Sequence, residues 1–512
     1  MHVAFLTPEY PTPQRPHGGL ANYIRKVGRQ LVGRGHEVSV LVLAESDGER
    51  SDAGVRIVEV SRDRLDGDLR TGRAGLGHTW RAGLWPLGRL ASSHRMARAL
   101  WALHRRQPVD ILQTSTWAAP GYALVGNGRV PVVCRLSSLQ SLLREGTDAT
   151  HDVRQYASEW FETWQVLAAE GVFSPSELLA DYLLRREGIE ARVIRTPFPD
   201  PPASRDASFY EDNLAGMDYL LYVGNINATK GADLLADALP PVFRQHNELR
   251  CVLIGPDYAM PGDRRGTIVE HIRRSCQDFA DHVLHFPPVE KDKLWPVMEN
   301  ALALLMPSRM DNYPNACLEA QMLGVPVVGT YESSLDEMIT DGRTGFLARN
   351  GDAGDLAVAM RRLLQLSPDQ KAQMRRQILQ SVEEARGRDR VGQLVGFYEE
   401  TIAGFSPRPE GARTELMELR RSREDKLWLM QYVGDFVCER VRDIERLEEE
   451  VARLKQLHSQ TRRELLGEIS RLRPYEESYN RIINKPAVRA YRHLKGFLRR
   501  LVGSGSEGGD GQ

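Results

Sequence analysis

The feature that most constrains the fold is a repeated alternation of short apolar runs with helical patterns. The first four runs are HVAFL (2–6), EVSVLVLA (37–44), VDILQTS (109–115) and PVVCRL (131–136). Short, continuous apolar runs of this kind are typical of strands that are buried on both faces. Repeated strand–helix units therefore predict a parallel sheet with helices packed on both sides of it.

A proline-rich stretch, PFPDPPASRD (197–206), interrupts this alternation and predicts a linker between two domains. The alternation then restarts with the runs YLLYVG (219–224), LRCVLIG (249–255), HVLHFPPV (282–289), ALALLMPS (301–308) and VPVVGT (325–330). We therefore expect an α/β protein with two Rossmann-like, doubly wound domains, one at 1–205 and one at 206–405. Because such sheets bind ligands at the carboxyl ends of their strands, the site is expected in the cleft between the two domains.

The composition changes after about residue 410. Apolar residues at heptad spacing, with charged residues around them, predict an imperfect coiled coil over about 430–472, inside a helical segment at 410–475. The heptads favour a homo-oligomer, although three of the core positions are poorly suited to one. A solvent-exposed amphipathic helix is the alternative interpretation.

The last segment, 476–512, combines a basic helix with a tail rich in Gly and Ser. The basic part, 481–503, has seven Lys or Arg residues, no acidic residue and apolar residues at helical spacing. This pattern predicts contact with an anionic membrane surface. The alternative is a helix that packs on protein with its basic face in solvent.

Charge and cysteine content argue against several functional classes. The 68 Lys and Arg residues nearly balance 69 Asp and Glu residues, and the net charge of -1 argues against nucleic-acid binding. The five cysteines lack the CxxC spacing of zinc sites and fit reduced thiols in a cytoplasmic protein. The N-terminus has no secretory pattern, and no apolar run reaches the roughly 18 residues that a membrane span needs.

Two glycine-containing loops follow predicted strands. In HGG (17–19), glycines allow a ligand to approach the backbone closely, and the start of the next helix attracts anions. In YVGNINATKG (222–231), Lys230 stands between a strand and a helix, where its charge can offset negative charge on a leaving group. A plain connecting loop and a solvated lysine are the alternatives.

A third stretch, DNYPNACLEAQMLGVPVVGT (311–330), places two carboxylates on either side of a helix start. Pro314 suits that start, so the loop Asn312–Asn315 would point free N–H groups into the cleft. Glu319, about one turn into the helix, could accept hydrogen bonds from ribose hydroxyls, and Asp311 from hydroxyls of a sugar. The alternative is that Asp311 caps a turn and that Glu319 only interacts with the helix dipole.

Four stretches, in order, resemble glycosyltransferase family 4, whose members have the two-domain GT-B fold. Residues 7–42 are similar to the family's N-terminal strand, Gly-Gly loop and GHEV strand, and 223–231 resemble its phosphate-binding loop. Residues 306–328 resemble its E-x7-E motif, and 336–347 resemble the segment that follows. The resemblance covers about residues 1–405 and implies a GT-B fold, to which the helical segment predicted after residue 410 is a C-terminal extension.

The resemblance also implies roles for matching positions. Gly18 and Gly19 would lie against the diphosphate of a nucleotide sugar, and Lys230 would bind its phosphates. Glu319 would hold the ribose, and Asp311 would hold the sugar that is transferred. The remaining positions would line the diphosphate, the ribose and the base: Asn312, Asn315, Ala316, Leu318 and Val289.

Three positions depart from the family pattern. Asn225 stands where the family often has Arg, so Lys230 would supply more of the positive charge that binds the phosphates. Asp311 stands where Glu is usual, which shortens the reach of the carboxylate toward the donor sugar. Ser137 stands where the family often has a His near the donor sugar, which implies either an unusual donor or weak or absent activity.

We therefore expect a cytoplasmic, retaining glycosyltransferase that uses a UDP- or GDP-sugar and needs no metal or other cofactor. Its acceptor would be a saccharide or a lipid-linked saccharide in the synthesis of a cell-surface polysaccharide or glycoconjugate. The basic segment 481–503 would place it at the inner face of the membrane. The alternatives are a nucleotide-sugar epimerase of the same fold and a catalytically silent scaffold that acts through 410–512.

Overall fold

A computed structural model describes residues 1–11, 18–62, 76–145, 153–202, 204–260, 266–407 and 453. The chain divides into two compact units, Met1–Glu424 and Asp425–Gln512. The predicted coiled coil at 430–472 and the predicted basic helix at 481–503 lie outside the described residues, apart from Arg453, which is helical. Both stay predictions.

The first domain is built on an eight-stranded sheet in the order β3-β4-β2-β1-β5-β6-β7-β8. Its described strands are β1 (His2–Thr7), β2 (Glu37–Ala44), β3 (Gly48–Asp52), β4 (Val55–Ser61), β5 (Ile111–Ser115), β6 (Val132–Arg135), β7 (Gly171–Ser174) and β8 (Arg192–Val193). All neighbouring strands are parallel except the edge pair β3 and β4, which is antiparallel. Its described helices are α1 (Gly19–Val32), α2 (Leu76–Arg106), α3 (Gln140–Glu145), α4 (Val153–Leu167) and α5 (Glu177–Glu187).

The second domain has a six-stranded, fully parallel sheet in the order β11-β10-β9-β12-β13-β14. Its described strands are β9 (Tyr219–Val223), β10 (Arg250–Ile254), β11 (Val283–Phe286), β12 (Ala303–Leu305), β13 (Val327–Thr330) and β14 (Gly345–Ala348). The described helices that follow the first domain are α6 (Ser208–Asn213), α7 (Leu235–Phe243), α8 (Ile268–Cys276), α9 (Lys291–Glu299), α10 (Asn315–Met322), α11 (Ala353–Leu364), α12 (Pro368–Arg386) and α13 (Arg390–Gly404).

The last described helix, α13, returns to the first domain. Its Phe397 packs edge-on against Phe173 of β7, with ring centroids 5.6 Å apart, and the hydroxyl of Tyr398 donates a hydrogen bond to Gln113 of β5. Val391 and Leu394 join the same apolar cluster. The helix thus ties the end of the second domain to the first sheet. The domain limits at 205 and 405 stay predictions.

The predicted α/β fold with two doubly wound domains is confirmed. Strands not anticipated from the sequence are the edge hairpin β3–β4 and the four-residue β14. The strands of the hairpin include charged and half-exposed residues, since this edge is not covered on both faces. None of the helices in the described ranges combines the length and apolar content that crossing a membrane requires.

Candidate active site

The order of the second sheet reverses between β9 and β12, and the loops that follow these two strands meet at this point. Lys230 lies in the loop after β9, and Asp311 lies in the loop after β12. The Lys230 Nζ atom is 2.8 Å from Asp311 Oδ2, and the two side chains are 35% and 11% exposed. Because ligands of doubly wound sheets bind where the strand order reverses, this ion pair marks the candidate site.

The loop of Lys230 is held by a close backbone contact that only glycine permits. Gly231 has a φ of 65°, and a Cβ atom added to it would lie 1.7 Å from the carbonyl oxygen of Pro307, next to β12. The Lys230 N–H donates to Asn227 Oδ1 at 2.9 Å. The loops after β9 and β12 therefore pack closely against each other, and this packing places the ammonium of Lys230 beside the carboxylate of Asp311.

Arg309, in the loop after β12, also bonds to the segment that follows β9. Its guanidinium donates two hydrogen bonds to the carboxylate of Asp233, at 2.6 and 2.8 Å. Its backbone N–H donates to the carbonyl of Thr229 at 3.1 Å, and its guanidinium also donates to the carbonyl of Ala228. A paired, planar contact of this kind fixes direction as well as distance, so the Lys230 loop is rigid where it approaches β12.

The turn after Asp311 is fixed by local hydrogen bonds. Asp311 Oδ1 accepts from the N–H of Asn312 at 3.0 Å, and Oδ2 accepts from Ser308 Oγ at 3.3 Å. Tyr313 has a φ of 56°, a left-handed conformation that is unfavourable for a bulky residue. Its N–H donates to Ser334 Oγ at 2.8 Å, which stabilises that conformation. Strain that is retained in this way is frequent at functional sites.

Helix α10 begins at Asn315 directly after this turn. Pro314 is its N-cap residue and offers no side-chain acceptor, so the N–H groups of the first turn have no side-chain cap. Such a helix start attracts an anion. Ala316 is half-buried and Leu318 is fully buried against Phe198, so these two positions can offer only backbone groups to a ligand.

Glu319 lies one turn further along α10. Its Oε1 atom is 2.8 Å from Lys291 Nζ, and the two side chains are 13% and 44% exposed. Lys291 is the first residue of α9, just after Val289, which is half-buried against the apolar core of the second domain. The sequence interpretation missed Lys291, because nothing in the sequence indicates that α9 and α10 start side by side.

The glycine loop of the first domain meets the same helix. Asn315 Nδ2 donates to the carbonyl of Gly19 at 3.0 Å. Gly18, the N-cap residue of α1, has no side chain, and Glu9 caps the helix instead by accepting from the N–H of Ala21. Burial raises the pKa of this Glu9 carboxyl, while the hydrogen bond from Ala21 opposes the increase. Gly18 and Gly19 are both exposed at the cleft.

Asn312 joins the two domains on the other side of the cleft. Its Nδ2 group donates to the carbonyls of Leu136 and Ser137, at 2.9 and 3.1 Å, just after β6. Its Oδ1 atom accepts from Ser176 Oγ at 2.6 Å. Ser137 is therefore adjacent to the turn that contains Asp311.

A second cation that the sequence interpretation missed is Lys26 of α1. Its Nζ atom donates to the carbonyl of Pro197 at 2.5 Å and to Asn315 Oδ1 at 3.4 Å. Burial lowers the pKa of the Lys26 ammonium to about 7, and the nearby charge of Glu319 opposes this decrease. The available signal was its position three residues after Tyr23, on the apolar face of α1.

Several of the predicted positions thus make contacts at the cleft, on or next to the segment 311–319. Lys230, Asp311, Asn312 and Ser137 form one set of contacts, and Gly19 and Asn315 form a second. Glu319, on the same helix as Asn315, pairs with Lys291. Asn225 is exposed beside the Lys230 loop, and its carbonyl accepts from Tyr222 Oη at 2.7 Å. Its side chain makes no hydrogen bond to the described residues. Val289 contacts the core of the second domain and belongs to neither set.

The chain matches two family models, one in each domain. The model described as "Glycosyl transferase 4-like domain" matches residues 18–198, and the model described as "Glycosyl transferases group 1" matches residues 218–366. Together they span both sides of the cleft.

Individual proteins give a consistent result. The chain is 27% identical to a D-inositol 3-phosphate glycosyltransferase of Arthrobacter sp. (strain FB24), over 69% of this chain and 85% of that protein. It is 25% identical to a glycogen synthase of Mycobacterium tuberculosis (strain CDC 1551 / Oshkosh), over 71% and 86% of the two chains. The sucrose-phosphate synthase structure from Thermosynechococcus elongatus superposes with a TM-score of 0.61 at 18% identity, over 79% and 99% of the chains, and supports the GT-B fold. The chain therefore belongs to glycosyltransferase family 4, the glycosyl transferases of group 1.

Proposed function

We propose that the chain is a retaining, metal-independent glycosyltransferase that moves a sugar from a UDP- or GDP-sugar to a saccharide or lipid-linked acceptor. The observation that supports this proposal is the ion pair of Lys230 with Asp311, which lies just before the uncapped start of α10 at Asn315. A cation, an acid and free N–H groups are the chemistry that a sugar diphosphate requires.

In this proposal, the diphosphate lies over the N-terminus of α10. The free N–H groups of the first helical turn bind its oxygens, and the helix dipole favours its negative charge. Lys230 approaches from the β9 side, and Gly18 and Gly19 approach from the other domain without side chains. Positive charge from Lys230 and the helix then stabilises the leaving diphosphate.

The two acids hold the two ends of the donor. Glu319, one turn deeper in α10, accepts hydrogen bonds from the ribose hydroxyls, and the base lies toward Val289 beyond Lys291. Asp311 accepts hydrogen bonds from hydroxyls of the donor sugar. Asn225 offers a neutral side chain at the edge of the phosphate site, so Lys230 supplies the main side-chain charge there.

The transfer step needs no protein nucleophile. The bond between the sugar C1 and the β-phosphate oxygen breaks, and a bond from the acceptor oxygen to C1 forms on the same face. The acceptor proton passes to an oxygen of the leaving diphosphate, so the products are a glycoside and a nucleoside diphosphate. Asp311 and Lys230 position the sugar and stabilise the leaving group, and Glu319 positions the nucleoside.

The acceptor approaches from the first domain, where Ser137 borders the cleft. The basic segment 481–503 favours a cytoplasmic enzyme that binds the inner face of a membrane and takes part in polysaccharide or glycoconjugate synthesis. We also propose that the chain self-associates through 430–472.

The first test is a thermal-shift panel of UDP-, GDP-, ADP- and dTDP-sugars on the full chain. A ligand that binds only the folded state raises its stability in proportion to the logarithm of concentration over Kd. We expect the largest shift from a UDP- or GDP-sugar. The absence of any shift at millimolar concentration would contradict the proposal and favour the scaffold.

The second test measures turnover. We expect Lys230→Ala to lower donor turnover by about a hundredfold or more and Glu319→Ala to weaken nucleoside binding. Lys293→Ala is the matched control, because this exposed lysine lies 3.8 Å from Asp206, outside the proposed site. Activity should be unchanged by EDTA, and the product should keep the anomeric configuration of the donor. Epimerisation of the donor without any acceptor would identify the epimerase alternative.

A further inference from the structure

Arg135, the last residue of β6, is a buried cation without an acidic partner. Its side chain is only 5% exposed, and its guanidinium lies over the ring of Tyr23, 4.0 Å from the centroid. It donates to Ser137 Oγ at 3.0 Å and to Thr196 Oγ1 at 3.3 Å, both neutral acceptors. Among the described residues no carboxylate lies within ion-pair distance, and its Nε atom has no hydrogen-bond partner.

This arrangement is unfavourable for stability alone. Removing an ion from water without a counter-ion is unfavourable, and an apolar side chain of similar size would avoid that cost. A hydrogen bond from a charged donor is, however, stronger than one from a neutral donor. The charge of Arg135 acts on its two acceptors, Ser137 Oγ and Thr196 Oγ1. Thr196 is fully buried, whereas Ser137 is half-buried beside the turn of Asp311, so Ser137 is the acceptor through which the charge can act on a ligand.

The N–H, the carbonyl and the hydroxyl oxygen of Ser137 each have a hydrogen-bond partner. Its N–H donates to Thr116 Oγ1 at 2.9 Å, and its carbonyl accepts from Asn312 at 3.1 Å. Its hydroxyl oxygen accepts from Arg135, and no described residue accepts the hydroxyl hydrogen. The next residue, Ser138, also has a buried Oγ atom that bonds to none of the described residues. A fixed hydroxyl with an unused hydrogen therefore lies at the cleft, beside the turn of Asp311.

We propose that the Ser137 hydroxyl donates a hydrogen bond to an oxygen of the transferred sugar, and that Arg135 is the positioning residue that orients it. Since Arg135 occupies a lone pair of Ser137 Oγ, the hydroxyl hydrogen points away from the guanidinium. The positive charge behind the oxygen polarises the O–H bond and makes it a stronger donor. The pair thus selects sugars that carry an oxygen at this point.

The inference rests on the proposed function, because it requires the donor sugar beside Asp311. A short serine side chain requires a second group to fix the direction of its hydroxyl. Arg135 provides that direction, and Asn312 fixes the Ser137 backbone at the same time.

The experiment compares Ser137→Ala, Arg135→Lys and the double variant, using the full chain and the donor that gives the largest thermal shift. We expect Ser137→Ala to lower kcat/KM by about ten- to a hundredfold, the range for one strong hydrogen bond. Affinity for the nucleoside diphosphate without sugar should change less than about twofold. Arg135→Lys should give an intermediate loss, and the double variant should be no worse than Ser137→Ala, because both changes remove one interaction.

A purely structural role of Arg135 predicts a different outcome. In that case Arg135→Lys would lower the melting temperature and would weaken the binding of the nucleoside diphosphate and of the nucleotide sugar alike. Deoxy analogues of the donor sugar give a second readout. The analogue that lacks the oxygen bound by Ser137 should be turned over equally by the unaltered chain and by Ser137→Ala. Controls are Ser39→Ala, at a buried serine that bonds to His2 in the first sheet, and Arg273→Met, at an arginine that bonds to the carbonyl of Val283.

The outcomes separate this inference from the proposed function. If the unaltered chain binds neither a nucleoside diphosphate nor a nucleotide sugar, the proposed function is wrong, and the inference fails with it. If the chain turns over its donor and Ser137→Ala affects all the sugars and the free diphosphate equally, only the inference is wrong. Additive losses in the double variant would also overturn it.

Discussion

Lys230 and Asp311 follow different strands of the second sheet, yet their charged groups lie 2.8 Å apart. Asp311 is nearly buried, and Lys230 is partly open to the cleft. A diphosphate that binds at the start of α10 therefore competes with Asp311 for the Lys230 ammonium. In the proposed function, donor binding therefore replaces Asp311 with the diphosphate as the partner of Lys230.

We predict that Asp311→Asn separates nucleotide binding from transfer. The amide no longer competes for Lys230, so the affinity for UDP or GDP should stay equal or increase by up to about fivefold, the range of a partly exposed ion pair. Turnover of the nucleotide sugar should fall by at least about a hundredfold, because the carboxylate no longer accepts from the sugar hydroxyls. Calorimetry with the free diphosphate and steady-state kinetics with the donor measure the two effects. Equal losses in both would contradict the assigned role.

We predict that Gly231→Ala disrupts the Lys230 loop. An added Cβ would lie 1.7 Å from the carbonyl oxygen of Pro307, at a φ of 65°, so the loops after β9 and β12 must separate. Both donor turnover and the free energy of unfolding should fall, the latter by several kcal/mol, as expected when strain and overlap combine. Gly216→Ala is the matched control. It has a φ of 78° but no atom within 4 Å of the added Cβ, so its cost should be only about 1–2 kcal/mol.

The positions of Lys230 and Asp311 could be predicted from the sequence because each follows the carboxyl end of a strongly apolar run. Parallel strands bring such ends to one edge of a sheet, so position along the chain predicts position in the cleft. The spacing of Asn315 and Glu319 likewise follows from one helical turn. The roles of Lys230, Asp311 and Glu319 came from the resemblance to the family and stay predictions.

Contacts between elements that are distant in the sequence could not be predicted in this way. Lys26 bonds to Asn315 across the cleft, Lys291 pairs with Glu319 inside the second domain, and Arg135 contacts Tyr23 and Thr196 inside the first. No local periodicity encodes these contacts. The left-handed conformation of Tyr313 is also invisible in the sequence, since it depends on Ser334. Sequence patterns therefore located the strand ends, and tertiary packing determined which charges meet there.

We predict that Asn312→Asp opens the cleft more than Asn312→Ala. An aspartate would place a carboxylate oxygen against the carbonyls of Leu136 and Ser137, which already act as acceptors. Alanine would only leave these carbonyls without a partner, at about 1–3 kcal/mol each. Small-angle scattering should report a larger radius of gyration for Asn312→Asp, and donor affinity should fall with it. Asn300→Asp, which removes a bond to Pro296 inside one domain, should change neither quantity.

The last prediction concerns the pH dependence of stability. Burial lowers the pKa of Lys26 from 10.5 to about 7, whereas the unfolded chain has an ordinary lysine at this position. Between these two values the unfolded state binds more protons than the folded state, so the contribution of Lys26 to stability becomes more favourable as the pH rises. The charges that act on Lys26 are Glu319 and Asp200, which raise its pKa, and Lys291 and Arg135, which lower it.

We therefore expect the free energy of unfolding of the native chain, minus that of Lys26→Met, to increase by roughly 2 kcal/mol from pH 7 to pH 9. The difference is the relevant quantity, because it cancels the titration of buried thiols and tyrosines that both proteins share. At pH 7 the methionine variant should be the more stable of the two, since it removes a poorly hydrated ammonium, despite losing the bonds to Pro197 and Asn315. Urea unfolding at several pH values measures the difference. Parallel curves for the two proteins would show that Lys26 is not the titrating group, and Lys293→Met, at an exposed lysine, gives the baseline for loss of a surface charge.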